Sequence, residues 1–80
     1  MFRYVLHHHH QPQECGVVYA AFKGRQSPLR HQPALASCAF GGHSIWWVVD
    51  AAGDRQALEQ LPFYVAERAT ATRVSPVEIP

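Results

Sequence analysis

Eighty residues allow one domain, spanning 1–80, with a modest core. The chain is 48% hydrophobic, ample for such a core and more than one small monomer readily covers, so a homodimer is expected. The formal charge of +1 argues against a nucleic-acid or other polyanionic partner held by bulk electrostatics. No apolar run approaches the ~20 residues of a membrane span, and the N-terminal apolar stretch is too short for a signal-peptide core. No membrane association and a cytoplasmic location are therefore expected, with Cys15 and Cys38 as thiols, although spacing alone leaves their pairing open.

The elements follow in chain order. Phe2–Leu6 is aromatic and β-branched and reads as a strand, with His7–His10 at its end. Four histidines between a strand and a helix start argue against an expression tag. Pro12 suits the first turn of a helix, Glu14 complements its dipole, and Cys15, Val18, Tyr19 and Phe22 form an apolar stripe that Gly24 stops. A basic loop follows, with Arg25, Arg30 and His31. Leu35–Phe40 reads as a second strand, Gly41-Gly42 as a two-residue hairpin turn, and His43–Asp50 as a third strand buried on both faces. Asp54 is the expected N-cap of a second helix with Ala57, Leu58 and Leu61 inward, interrupted at Pro62 and resumed over Phe63–Arg68. Thr70–Ile79 completes the pattern as a fourth strand, with Pro76 marking an edge or a bulge.

The order βαββαβ predicts an α+β, ferredoxin-like plan: a four-stranded antiparallel sheet in the order 4-1-3-2, with both helices on one face. The other face would be covered by a second copy. The chain resembles the dimeric α+β-barrel superfamily, which includes muconolactone-isomerase-like, antibiotic-monooxygenase-like and nickel-binding members. A narrower resemblance lies in His8-x-His10-x-Pro12-x-x-Cys15, similar to an H-x-H-x-P-x-x-C opening in small members of this fold. Those members often carry Glu directly after the proline, where this chain has Gln13. The pattern Leu61-Pro62, Tyr64-Val65-Ala66, Arg68 and Val77-Glu78-Ile79-Pro80 also looks familial. Neither motif implies a particular function.

The topology brings the end of the first strand, the start of the first helix and the central hairpin to one rim of the sheet. Side chains alternate along a strand, so His8 and His10 share one face while His7 and His9 take the other, and which pair meets His43 depends on a register the spacing leaves open. A tight Gly41-Gly42 turn would pair Phe40 with His43 and Cys38 with Ile45, placing Cys38, Phe40, His43, Ile45 and Trp47 together. The expected metal set is His8, His10, Cys15 and His43. Its nitrogen and sulfur donors suit zinc, copper or nickel. No organic cofactor is indicated.

Three other readings compete. In the first, the protein is a cofactor-independent enzyme, an isomerase or monooxygenase-like protein acting on a small, aromatic molecule. His43 would be the base and Cys15, its thiolate favoured at a helix start, the nucleophile. Phe40, Trp46, Trp47, Phe63 and Tyr64 would line its pocket. In the second, Lys23, Arg25, Arg30 and His31 bind an anion. The third is a structural or interaction module, with the histidines solvated and both cysteines packed as small hydrophobes.

Overall fold

A computed structural model describes residues 1–23 and 27–80. Gly24, the expected helix stop, and Arg25 of the basic loop lie outside the described residues. The elements are β1 (Phe2–His9), α1 (Cys15–Ala21), β2 (Leu35–Ala36), β3 (Ser44–Ala51), α2 (Asp54–Leu58), α3 (Phe63–Ala66) and β4 (Ala69–Val74), with 3₁₀ turns at Pro12–Glu14 and Cys38–Phe40. The protein is α+β. Its strands form an antiparallel sheet in the order β2-β3-β1-β4, which is 4-1-3-2 read from the other edge.

The strand pleat builds the core. Tyr4, Leu6 and His8 of β1 point inward beside Ile45, Trp47, Val49 and Ala51 of β3. Val18 of α1, Ala57 of α2, Leu61 between the helices and Val65 of α3 close over them in one apolar cluster. Each fully buried side chain such as Leu6 contributes about 1.5–3 kcal/mol by leaving water. The second helix ends at Leu58, ahead of the expected break at Pro62; Pro62 caps α3, which stops at Ala66 and not Arg68, and Ala57 and Leu61 are buried while Leu58 is partly so.

Several local expectations are corrected. Gly53 is the N-cap of α2; Asp54 sits in its first turn, where Oδ1 accepts the Arg55 N–H at 2.9 Å. In α1 only Val18 is fully buried, with Tyr19 half exposed at 51%. The histidines continue β1 as far as His9, and β4 stops at Val74, ahead of Pro76. β3 alternates instead of burying both faces, leaving Trp46 and Val48 on an outer face.

The largest correction concerns the hairpin. β2 ends at Ala36, and Ala36, not Cys38, pairs with Ile45. Ser37 turns the chain. Its carbonyl accepts the N–H groups of Phe40 and Gly42, both at 3.0 Å, and its hydroxyl accepts the Ser44 N–H at 3.1 Å. Gly41, at φ 86°, closes the 3₁₀ turn in the left-handed region that glycine enters without strain. Phe40 consequently stands in solvent, 90% exposed.

Candidate metal centre

The loop on which the hairpin expectation failed carries a sulfur donor that could join a metal site. By leaving the sheet after Ala36, the chain swings Cys38 back over the end of β1, to the place where His10 and Cys15 already lie. His10 follows the last residue of β1 and is held there by its N–H, which donates to the His43 carbonyl at 3.1 Å. Cys15 opens α1 after the 3₁₀ turn at Pro12–Glu14, which is fastened by the Gln11 N–H donating to Glu14 Oε1 at 2.9 Å. His43 sits just before β3 at φ 50°, a left-handed conformation uncommon for residues other than glycine.

One donor atom from each of His10, Cys15, Cys38 and His43 lies within 4.8 Å of the other three, a geometry that could hold a metal ion. Cys15 Sγ is 3.1 Å from His10 Nε2 and 3.2 Å from His43 Nδ1, and Cys38 Sγ is 3.5 Å from His10 Nε2. In a tetrahedral zinc site with Zn–N near 2.0–2.1 Å and Zn–S near 2.3 Å, adjacent nitrogen and sulfur ligands are about 3.5 Å apart. The three nitrogen–sulfur separations lie within roughly 0.4 Å of that value. Both cysteines are free thiols and half-buried, as is His43, while His10 is buried.

His8 does not join this set; it stands behind it. Fully buried, it places Nδ1 at 3.0 Å from the Val65 carbonyl and Nε2 at 3.1 Å from His10 Nδ1. A carbonyl only accepts, so His8 Nδ1 carries the proton. Burial, above all, holds His8 below the ordinary imidazole pKa and so keeps it neutral, which leaves Nε2 as an acceptor. His10 Nδ1 must then donate, and the lone pair of His10 Nε2 faces the two sulfurs. The Val65 backbone carbonyl, acting through His8, thus sets the tautomer of His10, the arrangement by which proteins orient metal-binding histidines. His10 is likewise held below its ordinary value, by burial first and then by repulsion from His43.

The thiol chemistry differs from expectation. Cys15 is pushed up, not down: desolvation raises its pKa, and Cys38 adds a hydrogen bond and repulsion in the same direction. Tyr19, one turn after Cys15, donates its hydroxyl to Cys38 Sγ at 3.7 Å and is itself pushed up chiefly by that bond. On the far side, Glu14 accepts the Tyr64 hydroxyl at 2.5 Å and pairs with Arg68 at 3.3 Å, fastening the turn before Cys15 to α3. The Tyr64 bond is the main reason the Glu14 carboxyl lies below its ordinary range.

Of the expected ligands, His10, Cys15 and His43 come together; Cys38 takes the place expected for His8. The signal for Cys38 was present in the spacing. His10 and Cys15 are separated by four residues, and so are Cys38 and His43, each pair spanning one of the two 3₁₀ turns.

The expected aromatic pocket does not assemble. Trp47 is in the core, Trp46 lies on the outer sheet face, Phe63 is 75% exposed, and Tyr64 packs beside Arg68. A groove of about 340 Å³ is lined by Trp47 with Tyr19, Phe22, Arg30 and His31; Phe63 lines a separate one near Leu58 and Leu61. Among the described residues, no helix is long and apolar enough to cross a membrane. Comparison with protein-family models, with curated proteins and with solved structures finds no match for this chain.

Proposed function

We propose that this chain is a small transition-metal-binding protein whose centre is His10, Cys15, Cys38 and His43. The observation that carries the reading is the convergence of two imidazole and two sulfur donors, one of them with its lone pair already directed inward. Two sulfur and two nitrogen donors favour zinc. Four protein ligands leave no coordination position for a substrate, which is the pattern of closed sites rather than catalytic ones. Storage, sensing or a structural role follows more naturally than Lewis-acid catalysis. The raised Cys15 thiol and the dispersed aromatic residues remove support from the enzymatic reading.

The same proposal includes a ferredoxin-like homodimer of the dimeric α+β-barrel type. Its support is the strand order together with the band of Leu35, Trp46 and Val48, which faces away from the core and leaves these side chains 76%, 36% and 65% exposed. Sedimentation equilibrium tests it, and a monomer at micromolar concentration would reject it.

The test of the metal reading is elemental analysis of untagged protein purified without metal-affinity resin. About one tightly held zinc per chain is expected, as for a closed four-ligand site. Cys15→Ser and Cys38→Ser should each lose it, and cobalt substitution should give thiolate charge-transfer absorption in the wild type alone. No zinc retained or taken up, or full occupancy in Cys38→Ser, would reject the proposal.

A further inference from the structure

The four consecutive histidines are divided by the pleat of β1. His8 and His10 point inward; His7 and His9 point to the opposite face. The outward pair is also organised. His7 Nε2 lies 3.1 Å from Ser44 Oγ, and His9 Nδ1 lies 3.4 Å from the same oxygen. Ser44 is the rung of β3 opposite His9 and is itself buried, so the ladder fixes the point on which both rings converge. His7 is further restrained by stacking on Trp46, with ring centres 5.1 Å apart and planes 10° from parallel.

We infer that His7, His9 and the Ser44 hydroxyl form a second, outward-facing site for a divalent ion of the nickel or copper type. Ligands about 2.0–2.1 Å from a metal stand roughly 2.9 Å apart at right angles and about 3.4 Å apart at tetrahedral angles. The two nitrogen–oxygen separations fall in that interval. His9 is exposed, so water fills the remaining positions and the ion exchanges with solvent. The donors are imidazole nitrogen and oxygen with no sulfur, the set that tetragonal copper and nickel accept. This site shares no donor with the inner centre and does not depend on it.

The probe is nickel, titrated into zinc-equilibrated full-length protein and followed by calorimetry and by quenching of Trp46 against a Trp46→Phe control. Zinc-loaded wild type should take up nickel while keeping its zinc. His9→Gln changes an exposed side chain and should keep the fold, yet weaken binding at least about tenfold; the His7→Gln/His9→Gln pair, which loses the chelate, should weaken it about 100-fold. Wild-type affinity in His9→Gln, or no nickel uptake by the wild type, would each overturn the assignment. Failure of the inner zinc centre would show instead as absent zinc with the His9 contrast intact.

Discussion

Replacing His8 by phenylalanine fills roughly the same buried volume while removing both ring nitrogens. The Val65 carbonyl then loses the donor at 3.0 Å, and His10 Nδ1 loses the acceptor at 3.1 Å. An orphaned buried polar group costs about 1–3 kcal/mol, so the pair should lower folding stability by about 2–6 kcal/mol. The proposed metal centre would suffer separately. Nothing then keeps the proton of His10 on Nδ1, and the lone pair of Nε2 is no longer reserved for a metal. Loss of such a partner behind a ligand costs about 10–100-fold in affinity, or about 1.4–2.8 kcal/mol. Urea unfolding of metal-free protein reads the first effect, and zinc competition against a chromophoric chelator reads the second. Unchanged zinc affinity alongside the expected stability loss would refute the relay from Val65 through His8 to His10. Unchanged stability would refute the reading of His8 as a buried, doubly bonded side chain.

The remaining predictions concern pH, the Ser37 turn and the core. His8 and His10 are both held below 6.5, chiefly by burial, so below about that pH the unfolded chain binds protons that the folded chain refuses. Stability should therefore fall as the pH drops from about 6.5 and stay level with respect to these groups above it; urea midpoints at pH 5 no lower than at pH 7.5 would contradict this. Alanine at Gly42 would place Cβ 2.8 Å from Ser37 Cβ and in collision with its hydroxyl, displacing the turn that carries Cys38. Zinc affinity should fall in Gly42→Ala but not in Gly16→Ala, where the added methyl meets nothing within 4 Å; calorimetric titration compares them. Leu61→Ala empties a position 1% exposed between the helices and the sheet and should cost about 2–5 kcal/mol, measured by thermal or urea unfolding.

Much of the fold was legible because burial and pattern agreed. Tyr4 and Leu6 alternate with polar or outward residues, Ala57 and Leu61 recur at helical spacing, and Pro62 can only restart a helix, so β1, α2 and α3 follow from local chemistry. The central hairpin was not legible, because Gly41-Gly42 carries a strong tight-turn signal that Ser37 overrides with hydrogen bonds from both its backbone and its hydroxyl. That one error displaced Cys38 from the expected ligand set. His8 was taken as a ligand because the even parity of His8 and His10 is visible in the sequence, whereas the Val65 carbonyl that claims His8 arrives from 57 residues away. The dipole argument for an activated Cys15 failed because burial first, and then Cys38 brought in by the Ser37 turn, raise the thiol.

The pairing of β1 with β3 also has a kinetic consequence. Its rungs join residues 35 apart along the chain at His9 and Ser44 and 49 apart at Phe2 and Ala51, so closing this ladder costs more chain entropy than any local helix. His10 and His43 lie just beyond the last rung, and their donors meet only after the ladder has closed. A metal at that place would arrive after the rate-limiting step of folding and would leave the folding rate almost unchanged. Its whole effect would fall on unfolding, slowing the escape of a protein already formed.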